Sequence, residues 1–408
     1  MEAEVEITAL AAGGDGVARL PDGLALFVPL AAPGDRVRIR VTERHRRFAR
    51  AEINEVLVAG PGRCAPRCPV FGRCGGCAWQ HLEYSVQVQA KQAILREALV
   101  RIGGWVLADE IPLTPSPAPY GYRTRARLLV GREGIGYRRQ GSHALCAIDG
   151  CPILVPSLDA EVGRLAGARC VSPEPAEQGE WELVAGQDGR VRSHPVKSHP
   201  SKSHPVKGGG PTEFGAARDR IELRAGQDAL AVSAGTFIQA NLGLHDALHA
   251  AVLDSVGRGR HAIELHAGAG FFTLALARRF EEVEAIEVAS SAVADLRANL
   301  LSAGLERVRV VEGDVEEVLK SRLGPRPELV LLDPPRAGLS PGALESLAEL
   351  SAARIVYLSC DPATLARDSA RLRERGYALE SIQGFDLFPQ TPHVEALAVL
   401  TRGDAPGG

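Results

Sequence analysis

The feature that most constrains this chain is the alternation of apolar runs with amphipathic stretches from about Gly235 onward. HAIELHAG, VEAIEV, RVRVVEGD, ELVLLDPP and ARIVYLSC are short apolar segments bounded by turns. Segments of helical periodicity such as SSAVADLRANLLSAG and PATLARDSARLRERG lie between or after them. Repetition of this kind predicts a doubly wound α/β layer with a mostly parallel sheet, because a parallel strand needs a crossover to return to the same edge. Ligands in such sheets sit outside the carboxyl ends of the strands. The chemistry-bearing residues of this half fall at those ends.

The first strand runs into Glu264-Leu265-His266-Ala267-Gly268-Ala269-Gly270, and a helix opens at Phe271. The glycines allow close approach of a ligand to the backbone, while the missing third glycine of G-x-G-x-x-G argues against a dinucleotide pyrophosphate. The second strand ends in Glu287, where a carboxylate can accept both hydroxyls of a ribose. The third ends in Gly313-Asp314 and the fourth in Asp333-Pro334-Pro335-Arg336. Such a set suits a ligand with a ribose and a cationic part, as in S-adenosylmethionine; ordinary helix N-caps would explain Asp314 alone but not the set.

The fifth strand ends in Ser359-Cys360-Asp361-Pro362, which puts a thiol at the same edge beside a fresh helix start. That position is expected to lower the thiol pKa and expose it as a nucleophile. Near the carboxyl end, Thr391-Pro392-His393-Val394-Glu395 leads into the apolar ALAVL. Desolvation of Glu395 would raise its pKa toward that of a general base, although a plain strand-edge Glu fits the same fact.

At about 150 residues per domain, 408 residues call for more than one unit. Residues 1–57 alternate apolar and polar positions between Gly-rich turns, the pattern of a small barrel of about five strands. Residues 58–232 form a central, mostly-β region of turns, cysteines and short strands, with one helical stretch from Tyr84 to Arg101. Residues 233–408 are the α/β part. Net charge is −3, from 47 basic and 50 acidic residues, which argues against holding nucleic acid by bulk charge alone. Two local windows are strongly basic. Gly34 to Arg50 carries seven Arg against Asp35 and Glu43, and Tyr122 to Arg139 carries six Arg against Glu133. Tyr122 and Tyr137 are either stacking partners for bases or core tyrosines.

The near-perfect repeat SHPVK-SHPSK-SHPVK, Ser193 to Lys207, reads as a disordered insertion at 190–210, since Pro in every unit and no large apolar residue leave nothing to bury. Adventitious metal binding by its three histidines is the other reading. No window approaches the roughly 18 to 20 apolar residues of a membrane span, and MEAEVEITAL lacks the regions of a signal peptide. A cytoplasmic, membrane-free protein is expected, and a monomer, since no apolar stripe calls for a partner. Eight cysteines without a secretory signal then point to metal binding or catalysis. By spacing alone, Cys64, Cys68, Cys74 and Cys77 could form a tetrahedral zinc site.

SCDPATLARD, PHVEALAVL, LLDPPRAGL, FIQAN (Phe237 to Asn241) and CGGC together resemble the RNA 5-methyluridine methyltransferases of the bacterial ribosomal type, over nearly the whole chain and in the family's order. The resemblance implies an N-terminal TRAM/OB-like barrel, a central iron–sulfur domain and a C-terminal Rossmann-like methyltransferase domain that uses S-adenosylmethionine. It implies that Cys360 adds to C6 of a uracil flipped from its stack, and that Glu395 removes the C5 proton after methyl transfer. Gln239, Glu287 and Asp333 become expected cofactor contacts, with Asp314 beside them. His266 stands where the family usually has Tyr or Phe, and Phe271 where it commonly has Asn; His266 can still stack on the cofactor. Cys68, Cys74, Cys77 and Cys151 become the ligands of a [4Fe–4S] cluster. Cys64 and Cys146 are then spares, and Cys170 is structural or exposed. The implied substrate is ribosomal RNA, of the 23S type, ahead of transfer RNA; a non-catalytic RNA-binding relative is the alternative.

Overall fold

The computed structural model describes residues 1–171, 179–196, 220–233, 235–322 and 324–403. From residue 197 onward the pentapeptide repeat lies outside the described residues, as does the side chain of Cys170; Ser193–Pro195 ends the strand Val191–Pro195.

The amino-terminal region is a six-stranded sheet ordered Glu2–Glu6, Arg36–Arg44, Phe48–Val58, Ala25–Val28, Gly16–Arg19, Ala9–Leu10. Alternate residues point inward, so Leu26, Val28, Val37, Ile39, Ala49 and Ala51 form one small core. The Arg-rich face is less free than its charge suggests. Arg38 pairs with Glu4 and Glu55, Arg40 with Glu52, Arg44 with Asp22 and Arg50 with Asp15. Exposed pairs of this kind contribute about 0–1 kcal/mol each, so they neutralise the face more than they hold it. A buried pair ties the sheet to the cysteine-rich segment: Arg63 Nη2 lies 2.6 Å from Asp35 Oδ2, and Asp35 also accepts from the Gly60 and Ala32 amides.

The middle of the chain builds an antiparallel five-stranded sheet, Leu145–Ala147, Gly134–Arg138, Arg125–Gly131, Gly179–Ala185 and Val191–Pro195 in that order, with the helix Pro156–Val171 packed on it. Tyr122 is buried, and the Tyr137 hydroxyl is buried beside Cys151. Tyr122, just before the strand Arg125–Gly131, is a core tyrosine; Tyr137 is half-buried and packs against the same core.

The helix expected over Tyr84–Arg101 forms there. It serves the carboxyl-terminal sheet: Leu95 and Leu99 join that sheet's core, and Leu113–Thr114 adds a parallel strand to its edge. The full sheet is ordered Arg309–Glu312, Phe280–Glu287, Gly259–Leu265, Leu329–Leu332, Arg354–Ser359, Glu395–Arg402, Tyr377–Phe385, Leu113–Thr114. The chain reverses direction between Gly259–Leu265 and Leu329–Leu332, the switch point where ligands collect in such sheets. Successive residues bury on opposite faces: Leu329 and Leu331 enter one core, Val330 and Leu332 the other. That double burial explains why the strands read as continuous apolar runs. The hairpin Arg220–Ala225 and Asp228–Ser233 packs Ile221, Leu223, Leu230 and Val232 into the first of these cores.

Candidate active site

Every strand of this sheet from Arg309–Glu312 to Arg354–Ser359 ends at one edge, but Glu395–Arg402 runs antiparallel to Arg354–Ser359. Its start therefore reaches the same edge. Ser359 is paired with Ala396, so Cys360 and Glu395 are the next residues along on neighbouring strands. Glu395 is 1% exposed, and its Oε1 has no hydrogen-bond partner among the described residues. Burial and the nearby Asp333 carboxyl push its pKa well above the usual carboxylate range. Asp333 is itself pushed up by burial, with Gln239 Nε2 donating to Oδ2 at 3.4 Å.

The Cys360 thiol behaves opposite to the expectation from its helix start. Burial, then the Glu395 and Asp333 carboxylates, push it up to about 12, with Arg336 pulling the other way. The helix Pro362–Glu374 gives little relief because Asp361 already caps it, accepting from the Thr364 amide at 2.9 Å. Arg336 Nη2 lies 2.8 Å from His393 Nδ1. Burial and Arg336 push His393 down to about 4, so it is neutral at physiological pH and accepts from the guanidinium.

On the other flank of the switch point, the loop after Gly259–Leu265 turns through three left-handed residues, His266 (φ 61°), Gly268 (57°) and Gly270 (99°). The positive φ favours glycine at Gly270, where a Cβ would also sit 2.7 Å from Leu296 Cδ1. At Gly268 a Cβ would meet nothing within 4 Å, which leaves open space for a ligand. A histidine at positive φ is strained, a condition that collects at functional loops. Glu287 braces this loop, accepting from the Gly268 amide at 2.9 Å and the Ala289 amide at 2.8 Å. Gln239 Oε1, Glu264 Oε2 and His266 Nε2 are buried without partners among the described residues. Orphaned polar atoms around an open loop suit a polar ligand.

Two expected contacts are occupied elsewhere. Asp314 caps the helix Val315–Ser321, accepting from Glu316 and Glu317 amides. Phe271 packs against His245, His249 and Phe272, ring centroids 5.1, 5.5 and 4.8 Å away.

The family model described as tRNA (Uracil-5-)-methyltransferase matches residues 222–403, and that of the TRAM domain matches residues 2–53. The chain is 35% identical to the 23S rRNA (uracil(1939)-C(5))-methyltransferase of Alkalilimnicola ehrlichii, covering 98% of this chain and 96% of that one. An RNA methyltransferase of Streptomyces avermitilis is 36% identical over 98% of each chain. Among solved structures, the Pyrococcus abyssi tRNA (uracil-54, C5)-methyltransferase in complex with S-adenosyl-L-homocysteine superposes with a TM-score of 0.74 at 25% identity, over 98% of this chain and all of that one. The chain belongs to the RNA uracil-C5 methyltransferase family. It is an S-adenosylmethionine-dependent enzyme with an RNA substrate, its amino-terminal sheet is a TRAM domain, and no helix among its described residues is long and apolar enough to cross a membrane.

In this methyltransferase a cavity of about 610 Å³ joins the thiol to the cysteine-rich segment. Cys360, Arg336 and His393 line one part, Arg123 and Arg127 another, and Cys68, Cys74, Cys77 and Cys151 a third. Burial pushes the Cys74 thiol up to about 11, Cys77 to about 12, and Cys151 upward too, with neighbouring thiols adding to each. Cys64 instead faces the Gln80 carbonyl at 3.5 Å, and Cys146 is buried in its strand. Among the described residues, no three His, Cys, Asp or Glu side chains already stand in a metal-holding arrangement. The chemistry of the four cysteines lining this part of the cavity still fits a soft, sulfur-binding cation, which stabilises deprotonated sulfur.

Sequence reasoning passed over three groups. Glu264, buried at the next-to-last position of its strand and pushed up to about 8, was signalled by a carboxylate inside the apolar run HAIEL. The fully buried pair of Lys91 and Asp386 had no local signal. Neither did Gln390, the buried residue at positive φ between the last two strands.

Proposed function

We propose that this enzyme methylates C5 of a uridine in 23S rRNA through a covalent adduct with Cys360. The observation that carries the reading is the placement of Cys360 beside Glu395, across adjacent strands, at the carboxyl edge of the parallel strands. The activity named for the Alkalilimnicola ehrlichii relative, similar over nearly its whole length, supports the choice of substrate.

C5 of uracil is too weak a nucleophile unless C6 is first made tetrahedral. Cys360 Sγ forms a bond to C6, and the electron pair of the C5–C6 double bond becomes available at C5. S-adenosylmethionine, when bound, supplies the methyl group on a sulfonium cation. Once C5 is methylated, Glu395 takes the C5 proton, the C5–C6 double bond re-forms and Cys360 leaves as thiolate. One proton per turnover thus leaves through Glu395. In the free protein the thiol is protonated, so thiolate formation belongs to the assembled complex, where Arg336 is the cation of this chain felt at the sulfur.

Gln239, His266, Glu287 and Asp333 surround the space assigned to the cofactor: Glu287 for the ribose hydroxyls, Asp333 with Gln239 near the reacting end, His266 for stacking. Asp314 lies outside this set because it is exposed, unlike the buried Glu287, and caps the helix Val315–Ser321; Phe271 does because its ring packs against His245 and His249. Cys68, Cys74, Cys77 and Cys151 hold a [4Fe–4S] cluster that orders the central domain, while Cys64 and Cys146 stay free of it. Residues 1–57, 58–232 and 233–408 are the corresponding domains, except that Tyr84–Arg101, Leu113–Thr114 and the hairpin Arg220–Ala225 with Asp228–Ser233 pack with the methyltransferase domain.

Nucleoside mass spectrometry of 23S rRNA and transfer RNA, both lacking 5-methyluridine, after incubation with anaerobically purified enzyme and S-adenosylmethionine tests the substrate. New 5-methyluridine in the 23S fraction supports the reading. The modification in transfer RNA alone would transfer the proposal to the substrate named for the Pyrococcus abyssi structure.

A further inference from the structure

Residues 386–394 join the last two strands and end on a cross-strand pair, Phe385 opposite Glu395. Gln390, at the centre of this connection, is 2% exposed and holds φ at 68°. Its backbone carbonyl accepts from two successive amides, Ala78 and Trp79, at 3.0 Å each. These immediately follow Cys77. Its amide donates to Gln87 Oε1 at 2.8 Å, its Oε1 accepts from Gln87 Nε2 at 3.0 Å, and its Nε2 donates to the Pro119 carbonyl at 3.2 Å.

Neighbouring residues are held from the same side. Tyr122 Oη donates to the Pro389 carbonyl at 2.9 Å, and Lys91 Nζ donates to the Phe388 carbonyl at 2.9 Å while pairing with Asp386. Trp79 Nε1 in turn donates to the Gly14 carbonyl of the TRAM domain at 2.9 Å, and a Cβ on Gly14 would lie 3.3 Å from Pro392. A connection that only linked two strands would need none of this. Strained backbone persists where its surroundings over-determine it, and here the surroundings come from residues between Gly14 and Tyr122, remote in sequence from the connection.

We propose that Gln390 is a positioning residue for Glu395, and that the cysteine-rich segment acts on the reaction through it by way of the Ala78 and Trp79 amides. This rests on the role of Glu395 given above. Shifting the connection displaces the Phe385–Glu395 pair and with it the carboxylate, while Cys360, on its own strand, stays in place. Proton removal slows but attack on C6 does not.

The experiment uses the full-length cluster-containing enzyme with 23S rRNA lacking 5-methyluridine. Gln390→Met keeps the volume and removes the side-chain hydrogen bonds; Gln87→Met removes the shared contact from the other side and serves if the first variant does not fold. Glu395→Gln is the control. Protein–RNA adduct on a denaturing gel, steady-state kcat and KM, and cofactor affinity by calorimetry are read together. A misplacement of about 1 Å lowers kcat by up to about 100-fold. The expected result is such a loss in kcat with KM falling in step, so that kcat/KM and cofactor affinity stay within about twofold of wild type because only a step after methyl transfer is slowed, adduct accumulating as in Glu395→Gln, and a double variant no worse than the poorer single one. Wild-type kcat, or a fall in turnover without adduct while Glu395→Gln does accumulate it, overturns the inference. If Glu395→Gln accumulates none, the assignment of the base fails instead.

Discussion

One cavity is lined by two kinds of cysteine, and they differ in what surrounds them. Cys360 faces two carboxyls and an arginine; Cys74, Cys77 and Cys151 face one another. In both places burial pushes the thiol up, so a raised pKa does not separate nucleophile from ligand. The neighbours do. A thiol beside a carboxyl that can take a proton, with an arginine also felt at the sulfur, suits the attack and release proposed for it. Thiols whose neighbours are thiols suit the shared positive centre proposed for them.

Removing each kind of cysteine in turn puts this contrast under the greatest load. Cys360→Ala is expected to lower turnover by at least about 10⁴-fold, as for other covalent nucleophiles, with cofactor affinity retained; retained methylation in a tritium-transfer assay contradicts the mechanism. Cys68→Ser is expected to lose iron, acid-labile sulfide and soluble yield, and Cys64→Ser to lose none of them. Equal loss in both, or a colourless zinc-bearing wild type, would return the site to the four-cysteine zinc reading.

Smaller effects bear on the same contrast. With a thiol pushed up to about 12, alkylation of Cys360 in the free enzyme is expected to be slow at pH 7.5 and to rise about tenfold per pH unit up to pH 9.5, read by peptide mass spectrometry. A flat profile would mean that the thiolate is already present. Glu264 gives a stability test. Its folded pKa, raised from about 4.5 to about 8 by burial, means that the folded chain binds more protons than the unfolded one across that window. Stability therefore falls as pH rises through it, at about 1.4 kcal/mol per pH unit for this group, and is flat above. Glu264→Gln is expected to unfold at a higher temperature than wild type at pH 9, in the cofactor-free protein, with the gain vanishing near pH 4. The least effect is expected from Asp314→Ala: about 1 kcal/mol of stability from the lost cap, with cofactor affinity unchanged in calorimetry.

What the sequence made legible was what repeats locally. Strand and helix alternation, the sheet edge carrying Glu287, Asp333 and Cys360, and the helix Tyr84–Arg101 all follow from periodicity and turn chemistry. The direction of the Cys360 shift was not legible, because the helix start is two residues away in sequence whereas Glu395 and Asp333 are 35 and 27 residues distant. Asp314 looked like its neighbours at strand ends until its cap hydrogen bonds were visible. Arginines between residues 34 and 50 looked free until Glu4, Asp15, Asp22, Glu52 and Glu55 were brought across from other strands. The Gln87–Gln390 contact joins residues 303 apart, and no local pattern announces it.

The mechanism stands or falls on Cys360 and Glu395 acting in sequence on one uracil. Digestion of the denatured Glu395→Gln adduct, with the RNA-bearing peptide mapped by mass spectrometry, decides it. The expected product is a methylated uridine joined through C6 to Cys360, with no adduct in the Cys360→Ala, Glu395→Gln double variant. A nucleotide attached to any other residue, or efficient release of 5-methyluridine by Glu395→Gln, would contradict it.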